Sequence, residues 1–271
     1  MKRLYLLLIT TFLFISCTPS QKYYMSVHVI DVGHGDCIFI ETPDDNKDNK
    51  KYEGYKILID AGKKGRGTKY VIPYLKTLGM KAGDTIDYVI ATHAHEDHVG
   101  GLPEVYDTFQ VNNTLDPGYN YTTASYFDYY DRASTEPNSN FYFNLMESGL
   151  ITENGDYLDL GDELKARILH TNSDISSGIN NTSIVLWIKY QEVSFLFVGD
   201  AEGKERDDSP SEIKYVEKYL ADNYNGELKS NVLKIGHHGS ETSSTDAFIQ
   251  AVEPKYAIIC AGCKSFRGTI L

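Results

Sequence analysis

Four side chains able to bind a divalent cation fall within six positions, His93, His95, Asp97 and His98, in the run THAHEDHVGG that starts at Thr92. Residues two apart in an extended segment share a face, so the imidazoles of 93 and 95 can address one cation. Asp97 and His98, on the turn that follows, can address a second. Imidazole and carboxylate donors without thiolate suit Zn2+, Mn2+ or Fe2+ with coordination positions left open for water, the catalytic rather than the structural pattern. Gly100 and Gly101 permit a tight entry into a following helix.

More donors end apolar runs elsewhere. Residues 164–169 lead into His170, 195–199 into Asp200, and 231–236 into His237 and His238, as 88–92 lead into His93. Strand ends gathered on one edge of a sandwich bring imidazoles and carboxylates from distant sequence within coordination distance. The sequence does not separate His237 from His238: one is expected to ligate, the other to contact substrate or protonate a leaving group. Asp60 is read as orienting a ligand histidine, Asp31 and Asp36 as doing the same or shaping glycine turns. Asn181 and Ser183 either bond near the site or begin a strand.

The elements that must position these donors are mostly strands. Apolar-rich runs at 24–30, 37–41, 55–60, 86–92, 164–170, 183–190, 193–198, 231–235 and 256–260 predict an α/β sandwich. Helices are expected over 210–221, where Ser209 and Glu212 have capping-box spacing, and over 68–78 and 244–252. The charged run 44–51 reads as a solvated hairpin loop. Residues 116–139 show the least regularity and hold six aromatic rings from Tyr119 to Tyr130, an inserted loop that either lids a site and stacks a base or packs on itself.

At the N-terminus, Lys2 and Arg3 precede an apolar run over 4–15, then Ser16 and Cys17. This reads as a signal segment over 1–17, too short to span a bilayer. The order Phe14-Ile15-Ser16-Cys17 resembles a bacterial lipobox, which implies a lipid on Cys17, membrane attachment and a working place outside the cytoplasm. Loss of 1–16 removes two cations and no acid, taking the net charge from -12 to -14, which disfavours long duplex DNA as a partner. Cys260 and Cys263 form a CxxC pair open to a disulfide, a redox or a buried-thiol reading, with zinc disfavoured because no second pair exists.

The HxHxDH run is similar to the signature of the metallo-β-lactamase superfamily, and the resemblance covers nearly all of 18–271. DVGHGD at 31–36, DAG at 60–62, NNTS at 180–183, GDAE at 199–202 and HHGS at 237–240 stand in the order found in the hydrolase domain of ComEC-type competence proteins. The resemblance implies a four-layer αββα sandwich forming one hydrolase domain. It also implies two divalent ions, Zn2+ first and Mn2+ second: one held by His93, His95 and His170, the other by Asp97, His98 and His237, with Asp200 bridging and His238 as the acid. His34 stands where the family usually has glutamine, and the end after Cys263 lacks the family's closing asparagine and His-Pro segment. Asp200, where antibiotic-degrading members carry cysteine, demotes that activity.

These readings lead to a hydrolase whose nucleophile is water activated between two metals, on a small or single-stranded phosphodiester. A carboxyl-ester, thioester or lactone hydrolase is the alternative. A scaffold with a degenerate site is disfavoured by the full ligand set.

Overall fold

The computed structural model describes residues 24–44, 54–148, 157–209, 211–224 and 226–262. The signal segment, Cys17, Cys263 and most of the charged run 44–51 lie outside the described residues.

Twelve strands form two six-stranded sheets. The first has the order β1 (Ser26–Val29), β2 (Ile38–Glu41), β3 (Lys56–Ile59), β4 (Thr85–Ile90), β5 (Gln110–Asp116) and β6 (Asn140–Phe143). Its first three strands pair antiparallel and the rest parallel. The second comprises β7 (Tyr157–Leu158), β8 (Leu164–His170), β9 (Val185–Tyr190), β10 (Val193–Phe197), β11 (Val232–Lys234) and β12 (Tyr256–Ile258), antiparallel up to β10 and parallel beyond.

Strand alternation assigns the layers. In β2 and β3, Ile38, Ile40, Ile57 and Ile59 face Ile168, Leu186, Ile188 and Phe197 of the second sheet. Phe39 and Leu58, between them, point outward into a second cluster with Leu75, Val105 and Tyr129. Both faces of these strands are buried, which explains their unbroken apolar runs. The first outer layer contains α1 (Ile72–Thr77), α2 (Glu96–Val99), α3 (Leu102–Tyr106) and α4 (Ala124–Thr135); α5 (Leu145–Ser148) follows β6. Opposite, α6 (Tyr215–Asn223) and α7 (Asp246–Val252) bury Val216, Leu220, Phe248 and Val252 on Val185, Leu196 and Leu233. The result is the expected four-layer sandwich.

Two helices begin later than their sequence signals. α6 starts at Tyr215 rather than 210, because the residues on either side of 210 are tied together by Lys214, whose Nζ meets Asp208 at 2.8 Å and Glu212 at 3.0 Å. α7 starts at Asp246, with the Thr245 hydroxyl accepting from Phe248 N. The stretch 116–139 is not an irregular loop. Thr123 caps the twelve-residue α4, whose inner stripe is Tyr126, Tyr129 and Ala133.

Asp116, at the end of β5, is 1% exposed and accepts from the Tyr129 hydroxyl at 3.0 Å and from Gly118 N at 2.7 Å. Burial pushes its carboxyl up from 3.8 to about 6. A carboxyl raised on folding favours the protonated native state, so its contribution is complete below about pH 4 and is lost as pH rises through 6. Asp116→Asn, neutral throughout, is expected to flatten stability against pH across that window, measured by urea midpoints at pH 4, 5, 6 and 7.

Candidate metal centre

The site forms where both sheets end. Asp60 follows β3 in a left-handed conformation, φ 56°, and its carboxylate accepts from Thr92 N at 2.9 Å and from the Thr92 hydroxyl at 2.7 Å. Its Oδ2 also lies 2.7 Å from His98 Nδ1. Donation from that nitrogen leaves Nε2 of a neutral His98 bare and directed into the cluster.

Asp200, three residues beyond the end of β10, is the common point. Its Oδ2 is 3.2 Å from His98 Nε2, 3.2 Å from His238 Nε2 and 3.8 Å from His93 Nε2. On one side His93 Nε2 faces His95 Nδ1 at 3.0 Å. On the other, His98 Nε2 faces His238 Nε2 at 3.3 Å, with Asp97 Oδ2 3.6 Å from His238. Ring nitrogens converging in pairs on shared carboxylates form a donor set of the kind that binds divalent ions.

The electrostatics point the same way. Burial would raise Asp200, but His98, His238 and Lys234 hold it well below the usual carboxylate range. Burial would lower His238, yet Asp200 and Asp36 lift it to about 9. Positive charge is therefore demanded at this point, and the clusters His93–His98–Asp200, His34–Asp97–His238 and Asp36–Asp200–His238 fit a dinuclear site.

His237 and His238 are separated by backbone. Both are left-handed, φ 42° and 53°, between Gly236 and Gly239, and their ring centroids lie 6.1 Å apart. His238 turns inward to Asp200. His237 turns to the rim, where Nδ1 meets Glu202 Oε1 at 2.9 Å and Thr242 Oγ1 at 3.2 Å. The reading that makes His237 a ligand and His238 the acid thus meets a structure in which His238, and not His237, faces Asp200. Asn181 Oδ1 accepts from Glu202 N and Ser183 Oγ from Asp200 N, so residues 180–183 brace the loop that carries Asp200.

His170 is not brought into these clusters. A β-bulge between Ile168 and His170 pairs it with Val185 and directs its ring toward Tyr219 of α6, at 5.6 Å between centroids. Its Nδ1 lies 2.9 Å from Ser183 O, and burial pushes its pKa down to about 4.

Two participants, His34 and Lys234, escaped the sequence reading of the site, and Asp36, read there as orienting a ligand histidine or shaping a turn, lies 3.4 Å from His238 Nδ1. His34 Nε2 is 3.4 Å from Asp97 Oδ2, with its ring 4.4 Å from that of His238. It is positioned by Gly35, φ 128°, where a Cβ would stand 2.1 Å from Asp97 O. Asp36 and Lys234 form a buried ion pair, and Lys234 also donates to Gly199 O at 2.6 Å and lies 3.6 Å from Asp200 Oδ1. A lysine inside the apolar run of β11 was the available signal. Beside the cluster, the Tyr121 ring lies 6.0 Å from His95 and 6.0 Å from Tyr119.

The Metallo-beta-lactamase superfamily matches residues 30–263. The chain is 29% identical over 255 residues to ComE operon protein 3 of Bacillus subtilis (strain 168), covering 87% of this chain and 28% of that protein. It is 24% identical over 237 residues to Competence protein ComA of Neisseria gonorrhoeae, covering 88% of this chain and 27% of that protein. It thus spans about a quarter to a third of each competence protein's length. A shorter stretch of 66 residues is 41% identical to Ribonuclease Z of Clostridium kluyveri, covering 24% of this chain and 20% of that protein.

Lys234→Met leaves Asp36 and Asp200 buried against each other without their cation. The expected loss is about 3–5 kcal/mol of folding free energy, measured by urea denaturation. Adding Asp36→Asn is expected to restore part of that loss.

Proposed function

The chain belongs to the metallo-β-lactamase superfamily, a family of hydrolases, and from that premise we propose that it cleaves phosphodiester bonds using two divalent cations, Zn2+ or Mn2+. The observation that carries this reading is the carboxylate of Asp200, which stands within 3.8 Å of three imidazole nitrogens drawn from both sheets. His93 and His95 would hold one ion, Asp97, His98 and His238 the other, and Asp200 both. Bound there, the ions supply an activated water at neutral pH and neutralise charge that grows on the phosphoryl group.

The chain's own residues do the rest. Asp60 fixes the ring of His98, and the Asp36–Lys234 pair holds Asp200 in place. His237, gripped at Nδ1 by Glu202 and half-exposed, is positioned to meet the leaving group as a proton donor, the role the sequence reading gave to His238. Tyr119 and Tyr121 border His95 as a wall against which a base can lie. The net charge of -12 favours a small or single-stranded substrate over long duplex DNA. The similarity to a ribonuclease over 66 residues supports phosphodiester chemistry.

A location outside the cytoplasm, with attachment through lipid on Cys17, completes the proposal. Among the described residues no helix is long and apolar enough to cross a membrane.

The test is hydrolysis of bis-p-nitrophenyl phosphate beside a p-nitrophenyl carboxyl ester by the metal-loaded protein, with chelation and His95→Ala as controls. Metal-dependent phosphodiester cleavage lost in the variant is expected. Ester cleavage alone would overturn the substrate class in favour of a carboxyl-ester hydrolase. His237→Ala is expected to lower turnover by about 10²-fold or more on a phosphodiester with a poor alkoxide leaving group, and much less on one releasing p-nitrophenolate. Equal losses on both substrates would remove His237 from the acid role.

A further inference from the structure

The outer face of the second sheet changes character along its strands. Where α6 and α7 pack, Leu169 and Val185 are apolar. Two and four residues further from the bulge, the same face carries Arg167 and Lys165 on β8, and Trp187 and Lys189 on β9. These residues line a cavity of about 530 Å3, closed on its other sides by the segment after α6 and by Glu253 beyond α7. It shares no residue with the histidine cluster, and its volume is that of a small-molecule site.

Two features of this cavity suit a ligand that carries both an anionic group and a flat ring. Lys165 and Lys189 are direct cross-strand partners, and like charges placed opposite each other destabilise a sheet. Among the described residues neither has an ion-pair partner, whereas Arg167 is engaged by Glu227 at 2.6 Å and Lys229 by Glu253 at 2.9 Å. Glu192 alone of the lining acids remains near them. Next to this pair stands Trp187, half-buried opposite Arg167, its side chain part of the cavity wall. In a chain of net charge -12, four cations and an indole ring line one hollow, against the three acids Glu192, Glu227 and Glu253.

We propose that this cavity is a second ligand site, separate from the metal centre, for a nucleoside monophosphate. The phosphate answers Lys165 and Lys189, and the base lies on the Trp187 ring. A bare inorganic anion would use the lysines alone, and a neutral ring the indole face alone.

Trp187 is the chain's one tryptophan, so its emission reports on this cavity alone. The metal-loaded protein is titrated with uridine monophosphate, and separately with uridine, inorganic phosphate and an acidic peptide. The expected result is a saturable change in emission with the nucleotide. Lys165→Glu with Lys189→Glu is expected to weaken it by about tenfold or more while metal-dependent hydrolysis is retained. The milder Lys165→Gln with Lys189→Gln pair should fall between. No saturable change, a change undiminished in the glutamate pair, or equal or better binding of phosphate, uridine or the peptide overturns the assignment.

Discussion

The structure turns on carboxylates taken out of water. Asp36, Asp60 and Asp200 are at most 2% exposed, and an ion so buried costs several kcal/mol unless an opposite charge or good donors face it. Lys234, fully buried on β11, answers Asp36 and Asp200 together; Thr92 and His98 answer Asp60. Meeting those demands fixes where the end of β11 must lie against the β1–β2 connection and against the end of β10. The inner apolar layer then holds the two sheets at the spacing these polar contacts need.

Much of this was legible because apolar runs and their polar ends are local signals. His93, His95, Asp97, His98 and Asp200 lie where runs terminate, and the tertiary structure gathers them. The left-handed turn at 237–238 was not legible, because adjacent identical residues carry no sign of which one points inward. Nor was the bulge before His170: regular alternation from Leu164 is the default, and nothing local announces the extra residue. Helix α4 was hidden by its chemistry, since its buried stripe is built from tyrosines whose hydroxyls are satisfied by Asp116. β5, with Asn112, Asn113 and Thr114 at its centre, reads as loop and is held as a strand by parallel pairing with β4 and β6.

Scaffold and rim follow different rules. The scaffold residues around Asp200 bond to backbone as much as to side chains, as with Ser183 to Asp200 N and Lys234 to Gly199 O. That arrangement fixes loop position as well as charge. The rim residues His237, Tyr119 and Tyr121 are partly exposed and rest on side-chain contacts, so substrate choice can vary there with little effect on the core.

The converging donors run from His34, before β2, to His238, after β11, and so draw on nearly the whole folded sequence. A chain emerging from the ribosome presents HxHxDH and Asp60 well before Asp200, Lys234 and His238. A chain cut before Asp200 therefore lacks the carboxylate on which imidazoles of both sheets converge, and the order of translation delays assembly of this cluster until the second sheet has formed.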